Sequence, residues 1–321
     1  MRAVQVSRLE GPDSVEVVDV DPPAPRPGHL LIETRAIGVS FPDVLLTKGE
    51  YQMRPSLPFV PGAEIAGIVA KAPEGSSFAE GDRVLAFPGI GGFAEAATAD
   101  PISVFALPDD VSYEVAAALP MNYFTALFAL TRRGQLRPGE TVLVHGAAGG
   151  VGTAAIQVAK ALGATVIGVA STEDKRAVAL RAGADHAVPV EGFKDAAKQL
   201  TGGKGVDVVL DPVGGDRFTD SLRSLATEGR LLVIGFTGGE IPTVRVNRLL
   251  LNNITVVGVL WGGFWISQPA YLQQQWADLL PMVEDGRLDP PIGATFPLER
   301  AAEALKEIGE RRATGKILLV P

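Results

Sequence analysis

The chain has 321 residues, a formal net charge of -8, no cysteine and only three histidines. That length exceeds one ordinary domain and predicts two cores, while the acidic balance, without any Lys/Arg-rich run, argues against a broad nucleic-acid surface. The missing cysteines exclude disulfides, thiolate nucleophiles and Cys-ligated zinc and fit a reducing cytoplasm; His29, His145 and His186 are too scattered for a metal cluster.

The opening MRAVQVSRLEGPDS lacks the apolar core of a signal peptide, so no secretion is expected. From Met1 to about residue 110 short apolar runs (MRAVQV, SVEVVDV, HLLIETRAIGV, EIAGIVAKA, DRVLAF, FAEAATA) are punctuated by Gly and Pro, which predicts a β-rich module, with PPAPRPG at 22–28 as a rigid connection. From Ser112 the stretch SYEVAAALPMNYFTALFALTRRG predicts helix, interrupted or entered at Pro120. Strands and helices then alternate: TVLVHG and GGVGTAAIQVAKALGA, TVIGVA and TEDKRAVALRAG, HAVPV and a short polar helix, GVDVVLD and GDRFTDSLRSLATEG, RLLVIG, and finally NITVVGVL. Unbroken apolar strands alternating with amphipathic helices predict a doubly wound parallel sheet, in which His186 would begin an interior strand. The greasy window LLLNNITVVGVLWGGFWI from Leu249 is broken by Asn252, Asn253 and glycines, so it reads as a buried strand and loop and no membrane span is expected. The tail carries helix YLQQQWADLLPMVEDG, helix AAEALKEIGER and a closing strand, KILLVP.

The most informative stretch is HGAAGGVGTAAIQVAKALGA, residues 145–164. It follows an apolar strand and opens a helix, the setting in which a glycine signature indicates a dinucleotide, although Ala147 stands at the first glycine of GxGxxG. Small residues from Ala148 through Gly149, Gly150 and Val151 let backbone amides approach a pyrophosphate at the helix N-terminus, and Gly152 permits close helix–strand packing. At the tip of the next strand the NAD-type acid is replaced by Ser171, with Thr172, Lys175 and Arg176 following. These suit the 2'-phosphate of NADPH, while Glu173 and Asp174 leave a ribose-hydroxyl site open as the alternative.

Seven stretches together, GVSFPDVLLTKGEYQ from Gly38, LPFVPGAEIAGIV from Leu57, EGDRVLAF, the glycine turn, DPVGG from Asp211, GRLLVIGF and TGKILLVP, resemble the medium-chain dehydrogenase/reductase superfamily in its zinc-free quinone oxidoreductase (zeta-crystallin-like) branch. The resemblance implies an α/β protein with a GroES-like β-rich catalytic domain over residues 1–118, completed by 262–321, and a Rossmann NADPH-binding domain over 119–261. It also implies a homodimer and a cleft for nicotinamide and substrate. Zinc-dependent relatives have Cys where this chain has Ser40 and His where PGAE has Ala63, so neither metal ligand is present.

Without metal or flavin motifs, the chemistry implied is direct hydride transfer from nicotinamide to a conjugated carbonyl: a quinone, an enone or an enoyl thioester. Tyr51, matched to a GxYxxxP pattern that reaches Pro55, is the expected proton donor, and Ser40 the expected contact to substrate or nicotinamide ribose, with Asp43 charging a helix start. On the cofactor side the resemblance implies Thr125, near Asn122, and Arg312, although Val190 replaces the Tyr that often supports that Arg; Gly235 and Phe236, like Leu260 and Trp261, follow strands whose C-terminal ends should face the cofactor, with a dimer contact as the alternative for the Trp261 indole. An enoyl-thioester reductase, with Arg54, Arg132 and Arg133 as basic groups for a CoA or carrier arm, stays open, as does a non-catalytic NADPH-binding sensor or structural protein.

Overall fold

A computed structural model describes residues 1–321. The chain divides into two compact units: Met1–Met121 with Pro269–Asp278 and Pro290–Pro321, and Asn122–Gln268 with Leu279–Asp289.

In chain order, β1 (Arg2–Val6) and β2 (Val15–Asp19) form an antiparallel ribbon. They are followed by β3 (Leu30–Val39), helix α1 (Phe41–Lys48), β4 (Glu64–Lys71), β5 (Arg83–Ala86), β6 (Ala96–Ala99), β7 (Val104–Ala106) and α2 (Tyr113–Ala118). The second unit contains α3 (Thr125–Leu127), β8 (Thr141–His145), α4 (Gly150–Ala161), β9 (Thr165–Val169), α5 (Glu173–Arg181), β10 (His186–Val188), α6 (Phe193–Leu200) and β11 (Val206–Asp211). It continues through α7 (Phe218–Ser224), β12 (Leu225–Val233), α8 (Asn247–Asn252), β13 (Thr255–Gly258) and α9 (Trp261–Ser267). The chain closes with α10 (Ala270–Glu284), β14 (Ile292–Pro297), α11 (Ala301–Gly309) and β15 (Lys316–Val320).

The first unit is built on a mainly antiparallel sheet of order β14-β15-β3-β4-β5-β7, with β6 also paired to β3. The last strand of the chain therefore lies against β3, with Ile317 opposite Val39. Its core is the inward set Leu30, Ile32, Ile37, Ile65, Val84 and Phe93, to which α11 adds Leu305 and β15 adds Leu319. Helix α1 is locally encoded: Ser40 precedes it in extended backbone, Asp43 at its third position accepts the Ser40 N–H at 2.8 Å, and Gly49 ends it in the left-handed region.

After α2, Pro120 has no N–H to give and its ring crowds the carbonyl one turn earlier. The helix neither breaks nor starts there. It loosens into π spacing over Pro120–Phe124 and Phe128–Arg133, with α3 between them, a distortion that places residues off the regular helical faces.

The second unit has an all-parallel sheet of order β10-β9-β8-β11-β12-β13. Numbered from β8, that is the doubly wound order 3-2-1-4-5-6, whose strand order reverses between β8 and β11. Leu143, Ile167, Val209 and Leu231 fill the sheet side of its core, and Phe193 and Leu222 come from helices packed on it. His186 corrects one expectation: it opens β10, which is an outer strand, and its side chain is exposed.

Candidate cofactor and active site

The reversal of strand order puts the loop after β8 and the loop after β11 side by side at the carboxyl ends of the strands, where open α/β sheets hold ligands. Gly146 has φ +60°, and a Cβ there would come within 3.3 Å of Val213 of the β11 loop. Ala147 N–H donates to the Val169 carbonyl at the end of β9, tying the turn to the strand next door. Gly149 N–H closes the turn on the Gly146 carbonyl at 2.9 Å, so the uncapped amides begin at Gly150. No side chain caps the start of the 12-residue α4. A Cβ on Gly150 would fall 2.5 Å from Asn122 Nδ2, so the Asn122 amide lies over the first turn of α4. A Cβ on Gly152 would run into the Gly146 carbonyl, which is the close packing this position was expected to serve. The turn thus fits a diphosphate: it offers backbone donors and a helix dipole, with no side-chain cap on the helix start and the Asn122 amide beside it.

The other predicted cofactor residues fall in this same unit, Arg312 excepted. Ser171 follows β9, exposed, and Thr172 caps α5 by accepting the Lys175 N–H at 3.3 Å. Gly235 and Phe236 follow β12, and their loop is knitted to the β11 loop through Thr237 N–H to the Pro212 carbonyl and Gly238 N–H to the Val213 carbonyl. Thr125 is buried in the short α3. Leu260 is exposed, whereas the Trp261 indole is buried edge-on against Phe124, with centroids 5.9 Å apart. Arg312 lies in the first unit, where ion pairs to Glu307 and Glu310 engage its guanidinium. Arg132 stacks on the Phe264 ring of α9 and Arg133 Nε donates to the Gly258 carbonyl of β13, so these two cations are engaged within their own unit.

Beneath the turn sits His145, fully buried, with Nε2 2.8 Å from Ser221 Oγ and its ring edge-on to Phe193. Burial pushes its pKa down to about 4, against the pull of Asp211 and with a push from Arg217. The folded chain therefore refuses a proton that the unfolded chain accepts near 6.5. Stability present above pH 6.5 should be lost as pH falls toward 4, by on the order of 3 kcal/mol. Urea melts across this range are expected to show that slope in the wild type and to show it flattened in His145→Gln.

The first unit holds a second constellation, which brings Ser40 together with three ionisable groups. Ser40 Oγ donates to Glu64 Oε1 at 2.8 Å and accepts from Lys316 Nζ at 2.7 Å. Lys316 and Glu64 also pair directly, and Glu64 Oε2 accepts the Met121 N–H at 2.7 Å. Asp43 takes N–H groups from Ser40 and Gly62 on its two oxygens. All four side chains are buried. Burial raises the Asp43 pKa to about 7; Glu64 pushes the same way, and the two N–H groups and Lys316 oppose it. Tyr51 is half-buried beside Val6, Leu46 and Phe59, and burial together with the Asp43 charge raises its pKa, so the phenol keeps its proton.

Zinc does not fit here. The ammonium of Lys316 already lies against Ser40 and Glu64, and no group of three His, Cys, Asp or Glu side chains is assembled anywhere in the chain. Glu64 and Lys316 escaped the sequence reading as site residues because each opens an apolar strand, EIAGIVAK and KILLV, and reads there as a strand-end charge. Their signal was a lone charge bordering a run that must be buried on both faces. Asp211 was equally hidden: it ends β11 and orients DPVGG by accepting the N–H groups of Val213 and Gly214, each at 2.9 Å.

Comparison with known proteins agrees with this layout. Residues 26–109 match the family described as "Alcohol dehydrogenase GroES-like domain" and residues 150–285 that described as "Zinc-binding dehydrogenase". A bovine quinone oxidoreductase-like protein 2 is 40% identical over 322 residues, 99% of this chain and 92% of its own. A probable oxidoreductase from Mycobacterium abscessus superposes with a TM-score of 0.92 at 45% identity, over 100% of this chain and 99% of that one. An Escherichia coli quinone oxidoreductase in complex with NADPH superposes at 0.91 with 31% identity, covering all of both chains. No helix is long and apolar enough to cross a membrane. With a GroES-like sheet, a Rossmann sheet and quinone oxidoreductase relatives matched over nearly its whole length, the chain belongs to the medium-chain dehydrogenase/reductase superfamily, in its zinc-free quinone oxidoreductase branch.

Proposed function

We propose that the chain is an NADPH-dependent reductase of quinones or other α,β-unsaturated carbonyl compounds, working by direct hydride transfer without zinc or flavin. The observation that carries the reading is the start of α4, capped by no side chain, at the reversal point of the parallel sheet. In this proposal the amides of Gly150 and Val151 hold the diphosphate, and Ala148 and Gly149 keep bulk away from it. The Ser171 hydroxyl and the Lys175 ammonium take the 2'-phosphate. Asn122, Thr125, Gly235, Phe236, Leu260 and Trp261 surround the nicotinamide half; Arg312, engaged by two carboxylates, is left out of this set. When bound, the reduced nicotinamide supplies a hydride. The chain's own task is then to orient the acceptor and to deliver a proton to its oxygen, for which the protonated Tyr51 phenol is suited, with Ser40 as a fixed polar contact.

The chain is further proposed to act in the cytoplasm as a homodimer. Strand β13 is the outer strand of its sheet, and Val246, Leu250, Leu251 and Ile266 lie exposed in the same unit. The enoyl-thioester reading gains nothing from Arg132 and Arg133, which are already engaged within their unit.

Following NADPH absorbance with quinones, enones and crotonyl-CoA tests the reading. Oxidation by quinones or enones is expected; NADPH that binds yet is oxidised by no acceptor would leave a binding protein in its place. Lys175→Glu should raise the NADPH KM by about 10- to 100-fold, since a charge-assisted bond to phosphate contributes about 1.5–3 kcal/mol, and should leave the NADH KM nearly unchanged. Equal effects on the two coenzymes would remove the phosphate contact.

A further inference from the structure

Resting on the reductase reading, the buried cluster of the first unit carries one step more. Ser40, Asp43, Glu64 and Lys316 come from a loop, α1, β4 and β15, parts of the chain up to 276 residues apart, and every charged member is buried with its polar atoms engaged. An ion pair is a costly way to fill a sheet interior, where apolar side chains of equal volume serve stability as well or better. The geometry shows what this pair does. The Ser40 hydroxyl gives its one proton to Glu64 and receives one from Lys316, so its orientation is set by the pair. The Ser40 backbone N–H is in turn held by Asp43, whose helix packs Leu46 against Tyr51. We propose that Glu64 and Lys316 are positioning residues for carbonyl reduction: their ion pair fixes the Ser40 hydroxyl and sets the charge that Asp43 presents to the Tyr51 phenol.

Asp43 feels Glu64 as a like charge and Lys316 as an opposite one. The other charges on elements packed against α1 are engaged elsewhere: Asp13 with Lys306 of α11, Glu303 with Arg300, and Glu307 with Arg312; Lys48 stands at the far end of α1 itself. Above its pKa of about 7 the ionised Asp43 makes Tyr51 a weaker acid. Enone reduction, which draws its proton from Tyr51, is therefore expected to fall as Asp43 ionises.

The test uses the full chain labelled with carboxyl-¹³C aspartate, the Asp43 resonance being identified by its loss in Asp43→Asn, alongside the pH profile of NADPH-dependent enone reduction. Glu64→Gln removes an anion and should lower the Asp43 titration by about one unit; Lys316→Met removes a cation and should raise it by about as much. The basic limb of the rate profile should follow each, in opposite directions, although both variants lose stability. Lys316→Arg should keep the wild-type limb, and the double variant Glu64→Gln/Lys316→Met, which leaves no unpaired charge, should return the limb toward it. Shifts in the same direction, or a moved titration with an unmoved rate limb, overturn the positioning role. Wild-type protein that binds NADPH but reduces no acceptor overturns the reductase reading itself, and is told apart because wild-type turnover is measured first.

Discussion

Replacing Gly152 with alanine is expected to abolish measurable NADPH binding and to loosen the whole second unit. The added Cβ would overlap the Gly146 carbonyl and lie 2.8 Å from the Ala147 Cα, both of them backbone atoms of the turn. Neither can rotate aside. Either α4 lifts from the turn or the turn opens, and both movements take the helix-start amides away from the place where Gly146, with its φ of +60°, aims them. Overpacking of this kind typically costs about 1–3 kcal/mol where side chains give way, and more where only backbone can move. Calorimetry should show NADPH affinity reduced by at least about 100-fold, since loss of a diphosphate's charge-assisted bonds exceeds 2.7 kcal/mol. Gly149→Ala is the contrast: its Cβ would meet only the Gly146 carbonyl at 3.5 Å, an ordinary contact, so its fold should survive and only its approach to the ligand suffer. Near-normal NADPH binding by Gly152→Ala would mean that the diphosphate does not rest on this turn.

Lys316→Ala is expected to be the most destabilising single change in the first unit, at about 3–5 kcal/mol, because it strands the fully buried Glu64 carboxylate with two hydrogen-bond donors and no cation. Glu64→Gln/Lys316→Met should regain most of that loss: the glutamine carbonyl can still accept one of the freed donors, and methionine fills the lysine's volume without its charge. Thermal melts of the single and double variants separate this account from simple loss of packing, in which the double variant would be the worse. The exposed Arg300–Glu303 pair provides the control, since an ion pair in water should hardly register when Arg300 is truncated. Asp43 adds a pH signature opposite in sign to that of His145. Its raised pKa means that the fold keeps a proton which the unfolded chain releases above 3.8, so its contribution is complete below that pH and is lost as pH rises through about 7.

The parallel sheet was legible because its information is local. Each strand from TVLVHG to NITVVGVL is a short apolar run between turn signals, and the order of strands and helices leaves few topologies. The glycine turn was legible for the same reason: small residues, a preceding strand and a following helix lie within one continuous stretch. Pro120 was ambiguous because a proline's effect depends on whether the surrounding packing lets the helix loosen, and here it passes into π spacing. His186 was misjudged because strand order decides which strand is outermost, and no property of HAVPV itself encodes it.

By itself, then, the sequence determined the class of fold and the strand, small-residue turn and helix from 141 to 161, since each follows from residue types at short spacing; that Ser40 and Ala63 stand where zinc-dependent relatives carry ligands came from the resemblance. Only the tertiary structure decided that β15 returns to lie beside β3 and carries Lys316 onto Ser40 and Glu64. A charge at the border of an apolar strand looks the same in sequence whether it meets water or a buried carboxylate. Which of these it meets is settled by the pairing of strands hundreds of residues apart and by the cost of burying a charge without its partner.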